Sequence, residues 1–456
     1  MSFSIYNTQS RDVQNVEVSG RPIHIYCCGP TVYRDAHVGN LRTFLLADLI
    51  TRTLKLDGRE VVLIQNITDV GHMSEDFEEQ DKLLSQAKIE KTDPFEIARK
   101  YEEKFHVDLA RLNIAPANAY PRASETIPGM LESISKLIDN GSAYVAESGS
   151  VYFSAQTFTS YGAISGNRLD ALKPGHRYEY SGDGEKKFHA DWALWKSAGN
   201  RTDMVWNSPW GLGFPGWHIE CTAMSLDLLE KHVDIHVGGI DLRFPHHENE
   251  RAQSNAIIGS EAVDLWVHGE HLLFEGRKMS KSANNVVLVE DLIKNGLDPL
   301  SLRLALLENR YRSQMDLTWD SLRAANVTIN RWRNAMASWG TSEEKMTDAE
   351  IESAFNEDLD TPRALLRLRA VEKDPNLSAS QKREIFNFAD QVFALDLQRA
   401  IEVKPLNDEQ EELIKARAMA RAEKNWSESD RLRDLLSSQG IAISDKPDGQ
   451  SWSWII

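Results

Sequence analysis

Cysteine is scarce: three in 456 residues, Cys27, Cys28 and Cys221. A disulfide framework is excluded as what holds the fold, and a chain this long can bury enough core to need none. Three thiols in a long chain fit a reducing compartment, where they serve chemistry or a metal. The N-terminus, Met-Ser-Phe-Ser-Ile-Tyr-Asn, has no charged segment leading into an apolar one. No apolar run approaches the roughly 20 residues of a membrane span. The expectation is a cytoplasmic protein without membrane attachment. Basic charge is also in deficit, 52 Lys and Arg against 69 Asp and Glu, a formal net charge of −17. That speaks against a nonspecific nucleic-acid binder but leaves room for a local basic face. Two catalytic signatures are missing. There is no Gly-x-x-x-x-Gly-Lys-Ser/Thr, and His247-Glu248 is followed by Arg251 where a metalloprotease needs histidine. Long internal repeats and low-complexity segments are absent too.

What is there is organised around residues 25–40. Ile25-Tyr26-Cys27-Cys28 reads as an apolar strand, broken at Gly29-Pro30. An amphipathic helix with Phe44, Leu45, Leu49 and Ile50 follows and stops at Gly58, before a second apolar run, Val61 to Ile64. Strand, helix and strand with this spacing predict a parallel βαβ unit. Ligands bind beyond the carboxyl ends of such strands, where the helix N-terminus favours anions. A thiol, Cys28, and His37-Val38-Gly39 both fall at that edge, so a phosphate-rich ligand and a metal could meet there.

At about three domains for this length, the chain divides as follows. Residues 1–22 read as an irregular lead-in, and 73–112 carry a helical period. Residues 115–205 read as an insertion, with one helix from Thr126 to Asn140, short strands such as Val151-Tyr152-Phe153, and no hydrolytic constellation. The α/β pattern returns with a helix opening at Trp217, a strand over Val233–Val237 ending in Gly238-Gly239, a helix over His246–Ile258, and a strand with its loop over Leu265–Phe274. From Val287 onward the chain is nearly all helical. Past Pro405 comes a basic helix with Lys415, Arg417, Arg421, Lys424, Arg431 and Arg433, then a small strand pair. The fold class expected is α/β: a Rossmann-like parallel-sheet catalytic domain split by an insertion, then a helical bundle and a small C-terminal α+β domain.

Two constellations carry chemistry. His246 and Glu250, at i and i+4, face one side of a helix. With Cys28 at a strand end and Cys221 at a helix start they make a Cys₂HisGlu set that suits zinc. Cys27, one residue along the strand, should face the opposite side and belong to the core. The second constellation is Lys278-Met279-Ser280-Lys281-Ser282, a polar loop whose ammonium groups suit a charged leaving group such as pyrophosphate.

Taken together, Cys28-Gly-Pro-Thr-Val-Tyr33, His37-Val-Gly-Asn40, Asn66-Ile-Thr-Asp69, Pro215-Gly-Trp-His-Ile-Glu-Cys221, Asp234-Ile-His236, Phe244-Pro-His-His-Glu-Asn-Glu250 and Lys278-Met-Ser-Lys-Ser282 resemble the cysteinyl-tRNA synthetase family of class I aminoacyl-tRNA synthetases. The resemblance runs from about Tyr6 to Trp452. It implies one Zn²⁺ per chain on Cys28, Cys221, His246 and Glu250, binding the substrate thiolate. It implies amino-acid contacts at Gly29, Thr31, Thr68, Trp217 and His236, and ATP contacts at His37, Gly39, Asn40, Gly238, Gly239, Asp241 and Lys281. Catalytic roles fall to His37, Asn40, Lys278 and Lys281. Asn40 departs from the family's His-Ile-Gly-His signature: it can donate a hydrogen bond but carries no charge.

The expected activity is ATP-dependent charging of cysteine tRNA with L-cysteine through cysteinyl-adenylate, with Mg²⁺ on the ATP, by a monomer. The alternatives are a tRNA-independent ligase joining activated cysteine to an amino sugar, as in the mycothiol pathway, a nucleotidyltransferase, and a regulatory paralogue. The expected domains are residues 1–114 and 206–275 (catalytic halves), 115–205 (insertion), 276–310 (mobile loop and stem contact), 311–404 (anticodon-binding bundle) and 405–456 (tRNA-binding tail).

Overall fold

The computed structural model describes residues 2–71, 81–172, 184–279, 285–341, 345–400, 406–446 and 449–454. Four parallel strands carry the centre of the molecule: β1 (Ile23–Cys27), β2 (Val61–Gln65), β3 (Val233–Gly239) and β4 (Val263–Gly269), in the order β4-β3-β1-β2. Strands β1 and β3 are buried along their whole length, so they read as unbroken runs rather than alternating ones. Alternation still sorts their side chains. Ile25 and Cys27 join one core cluster, and Tyr26 and Cys28 join the other.

The crossover helix α1 (Val38–Leu56) joins β1 to β2 and buries an apolar face that includes Leu41, Phe44, Leu45 and Ile50. Two of its buried polar residues tie it to distant chain. Arg42 donates to the carbonyls of Glu270 (2.7 Å), His271 (3.0 Å), Arg310 (3.1 Å) and Ser313 (2.8 Å). Asp48 accepts from Arg303 at 2.6 Å, and neither side chain has exposed surface.

The chain then leaves the sheet between Gln65 and Val233. It passes through α2 (Lys82–Glu90), α3 (Pro94–Arg111) and α4 (Ile127–Asp139), and builds a five-stranded antiparallel sheet from short strands between Ala143 and Pro215. This sheet takes in Trp206–Ser208 and Gly211–Pro215, so it crosses the boundary expected at 205. Helix α5 (Trp217–Leu228) leads back to β3, and α6 (His246–Ile258) joins β3 to β4.

The lead-in expected to be irregular is a hairpin, Ser4–Asn7 against Asp12–Asn15. Its second strand is wholly exposed and gives no apolar signal, while Phe3 and Ile5 are buried and the Tyr6 amide donates to Asp358 at 2.9 Å. The segment Leu265–Phe274 serves two sheets, because Leu272–Phe274 leaves β4 to pair with Arg277–Lys278 and Met315–Leu317.

Helices α7 (Val289–Lys294), α8 (Leu300–Leu307), α9 (Trp319–Ser338), α10 (Ala349–Asn356), α11 (Thr361–Lys373) and α12 (Ala379–Phe393) follow. The expected basic helix is two, α13 (Asp408–Ala422) and α14 (Trp426–Ser438), ahead of an antiparallel pair, Ile441–Lys446 with Gly449–Trp454. Its charge is largely matched internally: Lys415, Arg417, Arg421, Arg431 and Arg433 each pair with a carboxylate. Among the described residues, no helix is long and apolar enough to cross a membrane.

Candidate active site

The strand order reverses between β1 and β3: β1 leads by α1 to β2 on one side, while β3 leads by α6 to β4 on the other. A crevice opens at the carboxyl ends of such a pair. Cys28 stands at its floor, its amide donating to the Val237 carbonyl at 3.1 Å. Cys221 comes from α5, and His246 and Glu250 from adjacent turns of α6. The two sulfurs are 3.9 Å apart, Cys28 Sγ is 3.6 Å from Glu250 Oε1, and His246 Nε2 is 2.8 Å from that oxygen. One donor atom from each of the four lies within 4.8 Å of the others, and all four residues are buried.

These residues fit a divalent cation of borderline softness. Two thiols, an imidazole and a carboxylate converge, and Glu250 Oε2 is buried with no hydrogen-bond partner. Burial pushes the Cys28 thiol and the Glu250 carboxyl well above their ordinary ranges; a cation among them would reverse both shifts. A second group shares Cys28 and Glu250 but takes His236 and His247 as its other members. Their Nε2 atoms lie 3.4 and 3.3 Å from Cys28 Sγ. Burial takes His236 down to about 3 and His247 well below the usual imidazole range, so both are neutral. His247 was not among the expected site residues, although it sits at i and i+3 to Glu250 on the same helix.

Other groups orient the set. His218 Nδ1 is 2.9 Å from His246 Nδ1, and the Trp217 ring stacks on the His246 ring at 4.3 Å. His247 Nδ1 is 2.8 Å from His268 Nε2. Hydrogen bonds to the far nitrogen of a metal-binding imidazole fix its tautomer and aim. Asn66 Oδ1 accepts from the Gly29 amide at 2.8 Å and lies 3.7 Å from Cys221 Sγ. Asn66 Nδ2 donates to Thr68 Oγ1, which reaches Glu220 Oε2; both contacts are 3.2 Å. His218 and Asn66 were missed as site residues; only their place in the Trp-His-Ile-Glu-Cys and Asn-Ile-Thr-Asp runs signalled them.

A cleft of about 540 Å³ joins this floor to the N-terminus of α1. Cys28, Gly29, Thr31, Thr68, Trp217, Cys221 and His246 line one part of it. His37, Gly39, Asn40, Gly239, Asp241 and Lys278 line the other. Three expected site residues lie behind the wall. His236 and Glu250 are buried beneath the thiols. Gly238 makes room for His247, since a Cβ there would meet that ring at 2.4 Å. Lys281 falls outside the described residues.

His37 and Asn40 form a reciprocal cap on α1. His37 Nδ1 accepts from the Asn40 amide and Asn40 Oδ1 from the His37 amide, both at 3.2 Å. With Nδ1 an acceptor, the ring proton rests on Nε2. Burial, with Arg34 nearby, takes the His37 imidazole down to about 4. In a pH titration followed by NMR, His37 should therefore remain neutral until the pH falls towards about 4; a midpoint near the ordinary 6.5 would show that the ring is better solvated than its place in the cleft implies.

Comparison with known proteins agrees with this architecture. Residues 14–327 match the family model described as tRNA synthetases class I (C) catalytic domain, and 404–452 match that of the cysteinyl-tRNA ligase anticodon binding domain. Among solved structures, the chain is similar to a Mycobacterium tuberculosis methionyl-tRNA synthetase in complex with methionyl-adenylate. The TM-score is 0.56 at 15% identity, over 82% of this chain and 90% of that one. It is likewise similar to a LeuRS–tRNA–LeuAMS complex from Agrobacterium radiobacter K84, with TM-score 0.61 at 9% identity over 83% and 84%. Likeness at that identity speaks for the fold alone; together with the first family model it places the catalytic domain in class I of the tRNA synthetases.

Relatives in sequence narrow the family. The chain is 40% identical to a cysteine–tRNA ligase of Thermus thermophilus and 36% identical to that of Chlorobium chlorochromatii, each over 99% of both chains. The chain belongs to the cysteinyl-tRNA synthetase family, and it is a ligase.

Proposed function

We propose that this protein charges tRNA with cysteine through a cysteinyl-adenylate, and that the cleft holds both the thiol site and the ATP site. The observation that carries the proposal is the shared cleft: two thiols and an imidazole at one end, a capped helix N-terminus at the other. Zinc on Cys28, Cys221, His246 and Glu250 would supply a soft Lewis-acid site that favours a substrate thiolate. Trp217, packed on His246, Thr68, Thr31 and Gly29 bound the space above the thiols, and His236 backs them.

ATP, with its Mg²⁺, would lie across Gly39, Gly239 and Asp241 in the other half. The amides of the first turn of α1, the Nε2–H of His37, the Asn40 side chain, Lys278 and Lys281 would draw charge from the phosphates as the cysteine carboxylate attacks the α-phosphorus and pyrophosphate leaves. A terminal ribose hydroxyl of tRNA then attacks the adenylate carbonyl, the acyl–phosphate bond breaks, and AMP leaves with the hydroxyl proton on its phosphate. No side chain is needed as a strong base; alignment and phosphate electrostatics suffice. We assign tRNA contacts to the bundle (311–404) and the tail (405–456), and take the working unit as a monomer. The amino-sugar ligase is not favoured, because the tail matches an anticodon-binding family model.

Serine differs from cysteine by oxygen for sulfur, a change that shape alone discriminates poorly. Its hydroxyl stays protonated near pH 7 and is a poor partner for a thiolate-rich metal. Cysteine should support ATP–pyrophosphate exchange and transfer to tRNA, while serine supports negligible exchange, because a thiolate-rich metal prefers a further soft ligand. Exchange with serine at a rate comparable to cysteine would overturn the zinc reading; transfer to an amino sugar but not to tRNA would overturn the tRNA reading.

A further inference from the structure

Helix α6 has an unusual problem. Its first nine residues, His246 to Ser254, are all buried, yet only Ala252 among them is apolar. A buried helix ordinarily sets its rotation by packing an apolar stripe into a core. Those nine residues carry no such stripe, and the helix gives the neighbouring core cluster only Ala252, Ala256 and Ile257, so its rotation there is fixed chiefly by where each polar group finds its partner. That rotation matters because His246 and Glu250 must meet cysteines carried on two other elements. Side-chain tips stand about 5–6 Å from a helix axis, so turning the helix by about 10° moves a tip by about 1 Å.

The partners come from three sides. His246 faces His218, and Thr222 Oγ1 meets Gln253 at 2.8 Å, both on α5. His247 faces His268 on β4. The third side is held by the insertion. Tyr161 Oη donates to Asn249 Oδ1 at 2.5 Å, and the Ile164 and Ser165 amides donate to Glu248 Oε2 at 3.1 and 2.8 Å. Arg251 Nη1 donates to the Ser160 carbonyl and hydroxyl, each at 3.2 Å. Glu248 and Asn249 lie between the two metal-facing residues and bond to one short segment, residues 160–165, while Arg251 divides its guanidinium between Ser160 and Glu261.

We propose that residues 160–165 of the insertion are the template that sets the rotation of α6 and hence the aim of His246 and Glu250, with Tyr161 and Glu248 as the positioning residues. This rests on the metal reading given above. It gives the insertion a task in amino-acid selection without any chemistry of its own.

The test uses the full chain loaded with Co²⁺ in place of zinc, because thiolate-to-cobalt and d–d bands report ligand geometry directly. Tyr161→Phe removes only a hydroxyl from a ring that also packs near Trp192 (5.8 Å between centroids). Tyr144→Phe is the matched control: it removes a hydroxyl that donates to Asp191 and accepts from the Lys187 amide, each at 2.7 Å, both partners lying in the insertion rather than on α6. Glu248→Ala removes the acceptor of two amides, and Glu248→Gln keeps one. Tyr161→Phe and Glu248→Ala should shift the cobalt bands, weaken metal binding about 10–100-fold and raise the KM for cysteine while leaving that for ATP unchanged. Tyr144→Phe should change none of these, and Glu248→Gln should restore the parental spectrum. Parental spectra and affinities in both Tyr161→Phe and Glu248→Ala would overturn the template role while leaving the metal reading intact. A parent chain that binds neither zinc nor cobalt would instead overturn the metal reading, and the template role with it.

Discussion

Gly29→Ala is expected to lower cysteine-dependent ATP–pyrophosphate exchange by about 10²-fold or more and to reduce bound zinc. A Cβ on Gly29 would lie 1.5 Å from the Asn66 carbonyl oxygen and 2.6 Å from its carbon. The obstacle is backbone, so no rotamer change relieves it, and the turn after β1 must move by more than an ångström. Cys28 is the preceding residue, and the Gly29 amide would lose its bond to Asn66 Oδ1. Displacements of about 1 Å at a positioned group cost on the order of 10²-fold. Gly39→Ala gives the contrast. Its Cβ would meet the Met279 tip at 2.8 Å and the His37 ring at 3.0 Å, on the side of the cleft assigned to ATP, so exchange should fall while bound zinc stays at the parental level. Exchange rates and metal content of the two variants decide the matter. A Gly29→Ala protein within tenfold of the parent would show that this turn relaxes far more easily than its geometry implies.

Arg303→Leu should destabilise the protein by about 3–5 kcal/mol, the usual cost of stranding one member of a buried ion pair. The Arg303 guanidinium is fully buried. It donates to Asp48 on α1, to the Leu112 and Asn113 carbonyls after α3, and to the Val392 and Phe393 carbonyls at the end of α12. Without it, four carbonyls lose a donor and Asp48 keeps only Arg52 as a cationic partner. Urea unfolding followed by tryptophan fluorescence measures the loss. Adding Asp48→Asn removes the stranded charge and should recover at least about 1 kcal/mol. A loss under about 1 kcal/mol in the single variant, or a double variant no more stable than the single, would show that water or neighbouring groups reach Asp48 once Arg303 is gone.

How far the sequence made this legible depended on the range of the interactions. The βαβ unit and its cleft could be read because each rests on local pattern: an apolar run, a break, a helical period. The bounds of α6 could be read from its flanks, since the i, i+4 spacing of His246 and Glu250 makes sense only on a helix. The opposite faces of Cys27 and Cys28 follow from strand alternation alone. What stayed hidden depends on pairs far apart in the chain. Nothing near residue 248 announces the amides at 164 and 165, and nothing within Leu300–Leu307 sets Arg303 apart from a solvent-facing arginine. The hairpin at Ser4–Asn15 escaped because one strand faces water entirely. The basic tail misled in the other direction: its lysines and arginines were countable, but the carboxylates matched to them came from the preceding turn or from Asp445.

The division of the sheet has a consequence for how the chain is made. Strand β1 is hydrogen-bonded to β2 on one edge and to β3 on the other, and roughly 170 residues separate Gln65 from Val233. At about 5–20 residues per second on a ribosome, β1 presents an unpaired edge for on the order of ten seconds or more before its second neighbour exists. Bare edges are templates for wrong pairing, and closing so long a loop is slow as well as costly in chain entropy. The hairpin waits longer still, because Ser4 bonds to the Asn356 carbonyl, 352 positions away. The first strands made are thus among the last to be completed, and a nascent chain stopped anywhere between residues 66 and 232 carries half a catalytic sheet with its central edge open.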